Sequence, residues 1–154
     1  MSSSRAVTDA NSMKAESEMR VLVADDQASV RSALRRLLKE EPGLIVVGEV
    51  VRADELLDKA AATQPDLVLL DCELCGLSPS FHSKALQARW RLLDALHRLR
   101  SHPKVILLSG RPEMRQAALD VGADAFVSKG DPPERLLATL HIFNMTCDRL
   151  KASD

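Results

Sequence analysis

Four apolar runs in this chain end on polar residues able to do chemistry. Residues 21–24 lead into Asp25 and Asp26, residues 67–70 into Asp71, residues 105–108 into Ser109, and residues 125–127 into Ser128 and Lys129. Aspartate seldom belongs in a core, so a run such as Val68, Leu69 and Leu70 that ends on Asp71 needs a reason. A buried strand is a rigid carrier, and its apolar residues anchor a reactive carboxylate in one position. Converging carboxylates repel one another, and burial raises their pKa values unless a cation intervenes. Oxygen ligands at a partly open site favour Mg²⁺, which keeps several waters and takes one or two carboxylates plus a phosphate oxygen. With Asp25, Asp26 and Asp71 ionised, Mg²⁺ and Lys129 bring the formal charge to zero. A dianionic phosphoryl group would then meet cationic partners.

Elements must bring these residues together. The runs at 21–24, 44–47, 67–70, 105–108 and 125–127 are short and rich in Leu and β-branched residues, as strands buried on both faces require. Helical periods separate them. Val30, Ala33, Leu34, Leu37 and Leu38 form one stripe; Leu56, Leu57, Ala60 and Ala61 a second; Leu86, Trp90, Leu93 and Leu96 a third. Met114, Ala117, Ala118 and Val121 form a short fourth. The fifth, through Leu136, Leu140, Phe143, Cys147 and Leu150, follows Pro132 and Pro133, which are well tolerated at a helix start. Strand and helix alternating five times predict an α/β fold, a doubly wound five-stranded parallel sheet with helices on both faces. Ligands of such sheets bind beyond the carboxyl ends of the strands, where the winding reverses. Four strand ends deliver their polar groups to that edge. Strand two, running toward Gly48 and Glu49, offers one candidate and suits the periphery.

The chain has 154 residues, 45% hydrophobic and 28% charged, which allows one domain with a real core. Residues 1–18 are rich in Ser and Ala and lack an apolar period, so they read as a flexible tail ahead of a domain over 19–151. A net charge of −1 gives no global argument for nucleic acid. No apolar stretch approaches a membrane span, no cleavable leader is evident, and three cysteines fit a reducing compartment, so the expected location is cytoplasmic.

Together VLVADDQASVRSALRRLL, LVLLD, VILLSG and ADAFVSKGDPPERLL resemble the receiver domain of bacterial two-component response regulators, from about residue 20 to about 143. SKGDPPERLL is most similar to receivers that carry a LuxR-type DNA-binding domain. The resemblance implies a CheY-like, flavodoxin-like sheet in the order 2-1-3-4-5. It implies that Asp71 is the phosphoacceptor, and that Asp25 and Asp26 position Mg²⁺, with Asp26 and the backbone carbonyl of Glu73 in direct contact. It makes Ser109 the switch hydroxyl, Lys129 the phosphoryl partner, and Phe126 the aromatic whose rotamer reports activation. The implied partner is a histidine kinase or phosphotransfer protein, or else a small phosphodonor. Catalysis would extend only to the protein's own phosphorylation and dephosphorylation, and DNA would be met only through an effector domain absent from this sequence. Glu73 and Arg111 occupy the paired positions that overhang the phosphoryl group, where an ion pair could gate water. The projecting end of the fifth helix suggests a homodimer.

Two departures from the family pattern stand out. Cys75 replaces the usual proline of the metal-contacting loop, and the interval from Asp71 to Ser109 is longer than usual, which predicts an extended loop, a longer third helix, or both, within residues 76–90. The loop motivates an alternative, a phosphate-independent pseudo-receiver serving as a protein-binding adaptor. A haloacid-dehalogenase-type phosphatase needs paired aspartates, and Asp71-Cys72-Glu73 is only a distorted version. Cys72 and Cys75 resemble half of a redox or zinc site, but His82 and Cys147 are thin support for completing it, so inert thiols are expected. Lys84, Arg89, Arg91, Arg98, Arg100 and Lys104 read as a solvated face, with a docking surface as the alternative. His97, His102 and His141 have no metal-ligand spacing.

Overall fold

Strand residues alternate between two cores. In β3 (Leu67–Asp71), Leu67 and Leu69 enter one apolar cluster while Val68 and Leu70 enter the other. β1 (Met19–Ala24) divides likewise, with Val21 and Val23 on one side and Leu22 and Ala24 on the other. Both sides of such strands must be apolar, which explains their near-continuous hydrophobic runs. The computed structural model describes residues 18–74, 76–77 and 83–152. The expected tail therefore lies, apart from Glu18, outside the described residues.

With β2 (Leu44–Val50), β4 (Lys104–Ser109) and β5 (Ala125–Ser128), these strands form one parallel sheet in the order β2-β1-β3-β4-β5. The strands at 19–24, 67–71, 104–109 and 125–128 agree with the sequence reading to within two residues. β2 runs three residues beyond 47, because an edge strand can keep pairing with β1 through Val50.

Helices α1 (Ala28–Lys39) and α5 (Pro133–Ala152) cover one face, contributing Leu34, Leu38, Leu136 and Leu140 to the cluster with Val21 and Leu69. The other face is covered by α2 (Ala53–Thr63), α3 (Ser83–His97) and the short α4 (Arg115–Asp120), which follows a 3₁₀ turn at Pro112–Met114. Leu56, Leu93, Leu96 and Ala118 pack there against Leu22 and Leu107. Each fully buried Leu contributes roughly 1.5–3 kcal/mol from apolar transfer. No helix among the described residues is long and apolar enough to cross a membrane.

Helix α3 departs from the expected stripe. Its inward residues are Ala85, Arg89, Leu93 and Leu96, while Trp90 is 52% exposed. Arg89 thus leaves the solvated face expected for the basic run, whereas Lys84, Arg91, Arg98 and Arg100 stay on it. The lengthened interval includes the 15-residue helix α3, Ser83–His97. Whether the interval also holds an extended loop falls on Cys75 and residues 78–82, including His82, which lie outside the described residues.

Candidate functional site

Parallel pairing sets the depth of each site residue. Asp71 ends β3 level with Leu108, and Ser109 lies level with Ser128 on β5, so their strand ends share one edge. The amide N–H of Asp25 donates to the Val50 carbonyl at 3.0 Å, which holds the β1 end against β2. Arg31 on α1 donates to the Asp25 carbonyl at 2.9 Å and pairs with Glu49 at 3.5 Å, while Arg35 grips Glu49 through two bonds of 2.8 Å. This support from α1 was not evident in the sequence. Only the register of α1 over β2 brings those arginines to Glu49.

Carboxylate oxygens of Asp25, Asp26 and Asp71 lie within 4.8 Å of one another. Asp25 is wholly buried, Asp71 nearly so, and Asp26 exposed, giving a cluster that opens to solvent on one side. Asp25 Oδ1 accepts the Gln27 amide at 2.8 Å, and Asp71 Oδ1 accepts the Glu73 amide at 3.0 Å. Lys129 Nζ faces the remaining oxygens, 2.8 Å from Asp25 Oδ2 and 3.4 Å from Asp71 Oδ2. The Asp25 pair is close but off hydrogen-bond alignment, so this buried oxygen retains acceptor capacity. Three carboxylates, one a buried oxygen with an unused lone pair, and a single lysine suit a hard divalent cation such as Mg²⁺.

Burial holds the Asp71 carboxyl above its ordinary range, with Asp25 adding to the shift and the Glu73 amide and Lys129 opposing it. Burial alone would depress Lys129, but Asp25 and Asp71 outweigh it and raise the ammonium instead. These opposed demands leave a site whose negative charge exceeds its positive charge.

The remaining candidates surround this cluster. Ser109 is fully buried, and its Oγ accepts the Arg111 amide at 3.0 Å. The Lys129 amide donates to the Ser109 carbonyl at 2.7 Å, fixing the β5 end beside β4. Phe126 is buried, with the Arg115 guanidinium 5.3 Å from its ring centroid. Arg111 Nε lies 3.1 Å from Glu73 Oε1, so these two half-exposed side chains bridge neighbouring loops. Glu73 thereby turns its carboxylate toward Arg111.

Cys72 is 1% exposed, and burial pushes its thiol up to about 11, with Arg89 as the largest opposing influence. The thiolate is the nucleophile. Cys72 should therefore resist alkylation in the native protein at mildly alkaline pH and react fully in denaturant, as read by peptide mass spectrometry. Modification at a free-thiol rate in the native state would contradict this placement. Of the histidines, His97 at the end of α3 lies 2.8 Å from Asp124, and His141, inside α5, lies 3.3 Å from Glu41.

A 2-1-3-4-5 parallel sheet with helices on both faces is the flavodoxin-like architecture of CheY-type proteins. The chain belongs to the response regulator receiver domain family of two-component signalling, whose description matches residues 21–141. It is 35% identical over 116 residues to the response regulator GacA of Pseudomonas viridiflava, covering 73% of this chain and 49% of that protein. It is 29% identical over 126 residues to the nitrate/nitrite response regulator protein NarL of Escherichia coli K12, covering 79% and 52%. The chain thus spans about half the length of these curated relatives. In fold it is similar to a LuxR-family two-component response regulator from an Aurantimonas species, with a TM-score of 0.69 and 23% identity over 84% of this chain and 86% of that one.

Proposed function

We propose that Asp71 accepts a phosphoryl group from a histidine kinase, a phosphotransfer protein or a small phosphodonor, and that the resulting acyl phosphate shifts the domain between two conformations. The observation that carries this reading is the presentation of Asp71. One oxygen is held by the Glu73 amide and the other faces Lys129, inside a cluster of three carboxylates. Asp71 attacks phosphorus, the bond from phosphorus to the donor breaks, and the donor leaves with the electron pair. Asp25, Asp26 and Asp71, with the Glu73 carbonyl, would hold Mg²⁺, whose chemistry when bound is to neutralise charge on the phosphoryl oxygens. Lys129 adds a second positive charge at the same place. Water later cleaves the acyl phosphate, so the protein acts on no substrate but itself.

The added dianion can accept a hydrogen bond from the Ser109 hydroxyl, and a turn of that side chain toward it would give up the contact in which Oγ now accepts the Arg111 amide. That exchange would bias a two-state element, to the extent that the dianion prefers one state. Phe126, buried beneath α4, lies on the route to an output surface formed by α4, β5 and α5. Mass spectrometry after incubation with Mg²⁺ and a small phosphodonor tests the reading. One phosphoryl group on the Asp71 peptide is expected. Failure of uptake in folded, Mg²⁺-binding protein would favour the pseudo-receiver.

The Arg111 and Glu73 pair bears on how long the signal lasts. A half-exposed ion pair contributes about 0–1 kcal/mol. If roughly 0.5–1 kcal/mol of that obstructs the attacking water, its loss speeds hydrolysis about two- to fivefold. Arg111→Ala should therefore accelerate dephosphorylation several-fold with little change in uptake, Glu73→Ala should act in the same direction, and the double variant should add less than the sum. Equal phosphate lifetimes in wild type and both single variants would eliminate gating.

Self-association through α5 belongs to the same reading. The Leu136 and Leu140 stripe is committed to the core, and Cys147 and Leu150 have side chains outside the described residues. Ile142 and Met145, one turn apart on α5, are 63% and 61% exposed. Sedimentation should reveal a dimer, strengthened by a phosphoryl mimic. A monomer at high concentration in both states rejects it.

A further inference from the structure

Arg89 is a buried cation outside the set of residues assigned above. Helix α3 turns it inward, 3% exposed, onto the Cys72 backbone, while its neighbour Trp90 faces out. Taking a guanidinium out of water is costly, so its presence asks for a use beyond packing.

Its contacts indicate that use. Nη2 donates to the Cys72 carbonyl at 2.9 Å, and Nη1 reaches the Ala85 carbonyl of its own helix at 3.5 Å. The Cys72 carbonyl and the Glu73 amide belong to one peptide group, and a peptide group is planar and rigid. The N–H at its far side donates to Asp71 Oδ1 at 3.0 Å. A single plane therefore links the guanidinium to the carboxylate: Arg89 holds its oxygen, and Asp71 accepts from its nitrogen. A cation on the carbonyl also polarises the amide, which strengthens the bond that the N–H makes.

We propose that Arg89 is a positioning residue for Asp71, acting through the Cys72–Glu73 peptide to fix which carboxylate oxygen is engaged and which is presented to Lys129. The same plane sets the start of the loop that carries the Glu73 carbonyl. Burial lowers the Arg89 pKa, with Cys72 and Glu73 opposing that shift and Arg111 reinforcing it, which places the guanidinium electrostatically next to this loop. The inference rests on the phosphoacceptor reading for its consequence, although the clamp itself is a property of the unmodified protein.

Arg89→Met and Arg89→Lys, in the full chain, test it by three readouts: thermal stability, amide hydrogen exchange at Glu73 without metal, and the rate of phosphoryl uptake from a small donor with Mg²⁺. Arg89→Met, which leaves the Cys72 carbonyl without this donor, should melt a few degrees below wild type, and its Glu73 amide should exchange about tenfold faster. Uptake should fall by a similar factor, equivalent to about 1.4 kcal/mol in the barrier. Arg89→Lys, with one donor group for two carbonyls, should lie between. Wild-type exchange at Glu73 in Arg89→Met overturns the proposal, as does a loss of uptake that only tracks lost stability. If Arg89→Met does not fold, Arg89→Lys decides: faster Glu73 exchange supports the clamp, and wild-type values overturn it. Faster exchange in the variants of a protein whose wild type takes up no phosphoryl group sustains the clamp and sinks the phosphoacceptor reading alone.

Discussion

Asp71→Asn will leave the protein folded and unable to take up a phosphoryl group. The substitution removes the nucleophilic charge and keeps the planar shape, and Asn Oδ1 can still accept the Glu73 amide that now meets Asp71 Oδ1 at 3.0 Å. The variant should also be more stable than wild type near neutral pH. Asp71 is 3% exposed and its pKa is raised chiefly by burial, so the ionised form is disfavoured in the folded state. For a group raised in this way, the contribution to stability is fullest below the ordinary carboxylate pKa of about 4 and is lost as pH rises through the folded-state value. Asparagine has no such loss. A gain of about 1 kcal/mol, or about 4 °C in Tm, is expected at neutral pH, shrinking as pH falls toward about 4. Lys129 keeps its partner at 2.8 Å, Asp25, so the variant does not strand a cation. Melting curves across pH with mass spectrometry of phosphorylation check both halves. Wild-type phosphorylation of the variant would remove Asp71 from the site.

Lys129→Met should have the opposite effect on stability. Asp25 and Asp71 would be left as buried like charges without their shared ammonium, and removing one partner of a buried ion pair typically costs about 3–5 kcal/mol. The loss should be visible throughout the neutral range. Because the Lys129 pKa is raised, its contribution is fully present below the ordinary lysine value and disappears only as pH climbs through the raised one. Two treatments should restore stability: lowering the pH, which neutralises Asp71, and adding millimolar Mg²⁺, which on the proposed reading binds the native state alone. Phosphoryl uptake should remain about a hundredfold slow even with Mg²⁺, since the lysine's charge at the phosphoryl oxygens is missing. Melts in chelator and in Mg²⁺, paired with uptake rates, measure each part. A variant as stable as wild type in chelator would show that Lys129 does not hold the two carboxylates together.

The strand ends were legible because two local signals coincide there. A parallel strand buried on both faces must be apolar along its length, so Val68 to Leu70 declares itself, and the polar residue that ends the run marks the sheet edge. Asp25, Asp71, Ser109 and Lys129 were all placed at the sheet edge in this way, and the parallel sheet that carries them followed from the regular alternation of strand and helix. The bridge between Arg111 and Glu73 needed more, since it depends on β3 and β4 lying side by side.

Helix α3 shows where such reading stops. Hydrophobic periodicity placed Trp90 inward and Arg89 in solvent, because a tryptophan gains far more from burial than an arginine when each is weighed alone. The fold turns the first half of the helix by one position, toward Ala85 and Arg89. The deciding partner is the Cys72 carbonyl, 17 residues away in sequence. A backbone carbonyl beneath a helix must find a donor or remain unsatisfied, at a penalty comparable to the apolar gain forgone at Trp90. Local pattern thus determined the parallel sheet and the residues at its edge, because strand burial and helix period are properties of short segments, while its strand order came from the family resemblance. Only the tertiary structure decided that Arg89 lies under the Asp71 loop and that Arg31 and Arg35 brace Glu49, because hydrogen-bond satisfaction between distant segments depends on their relative placement.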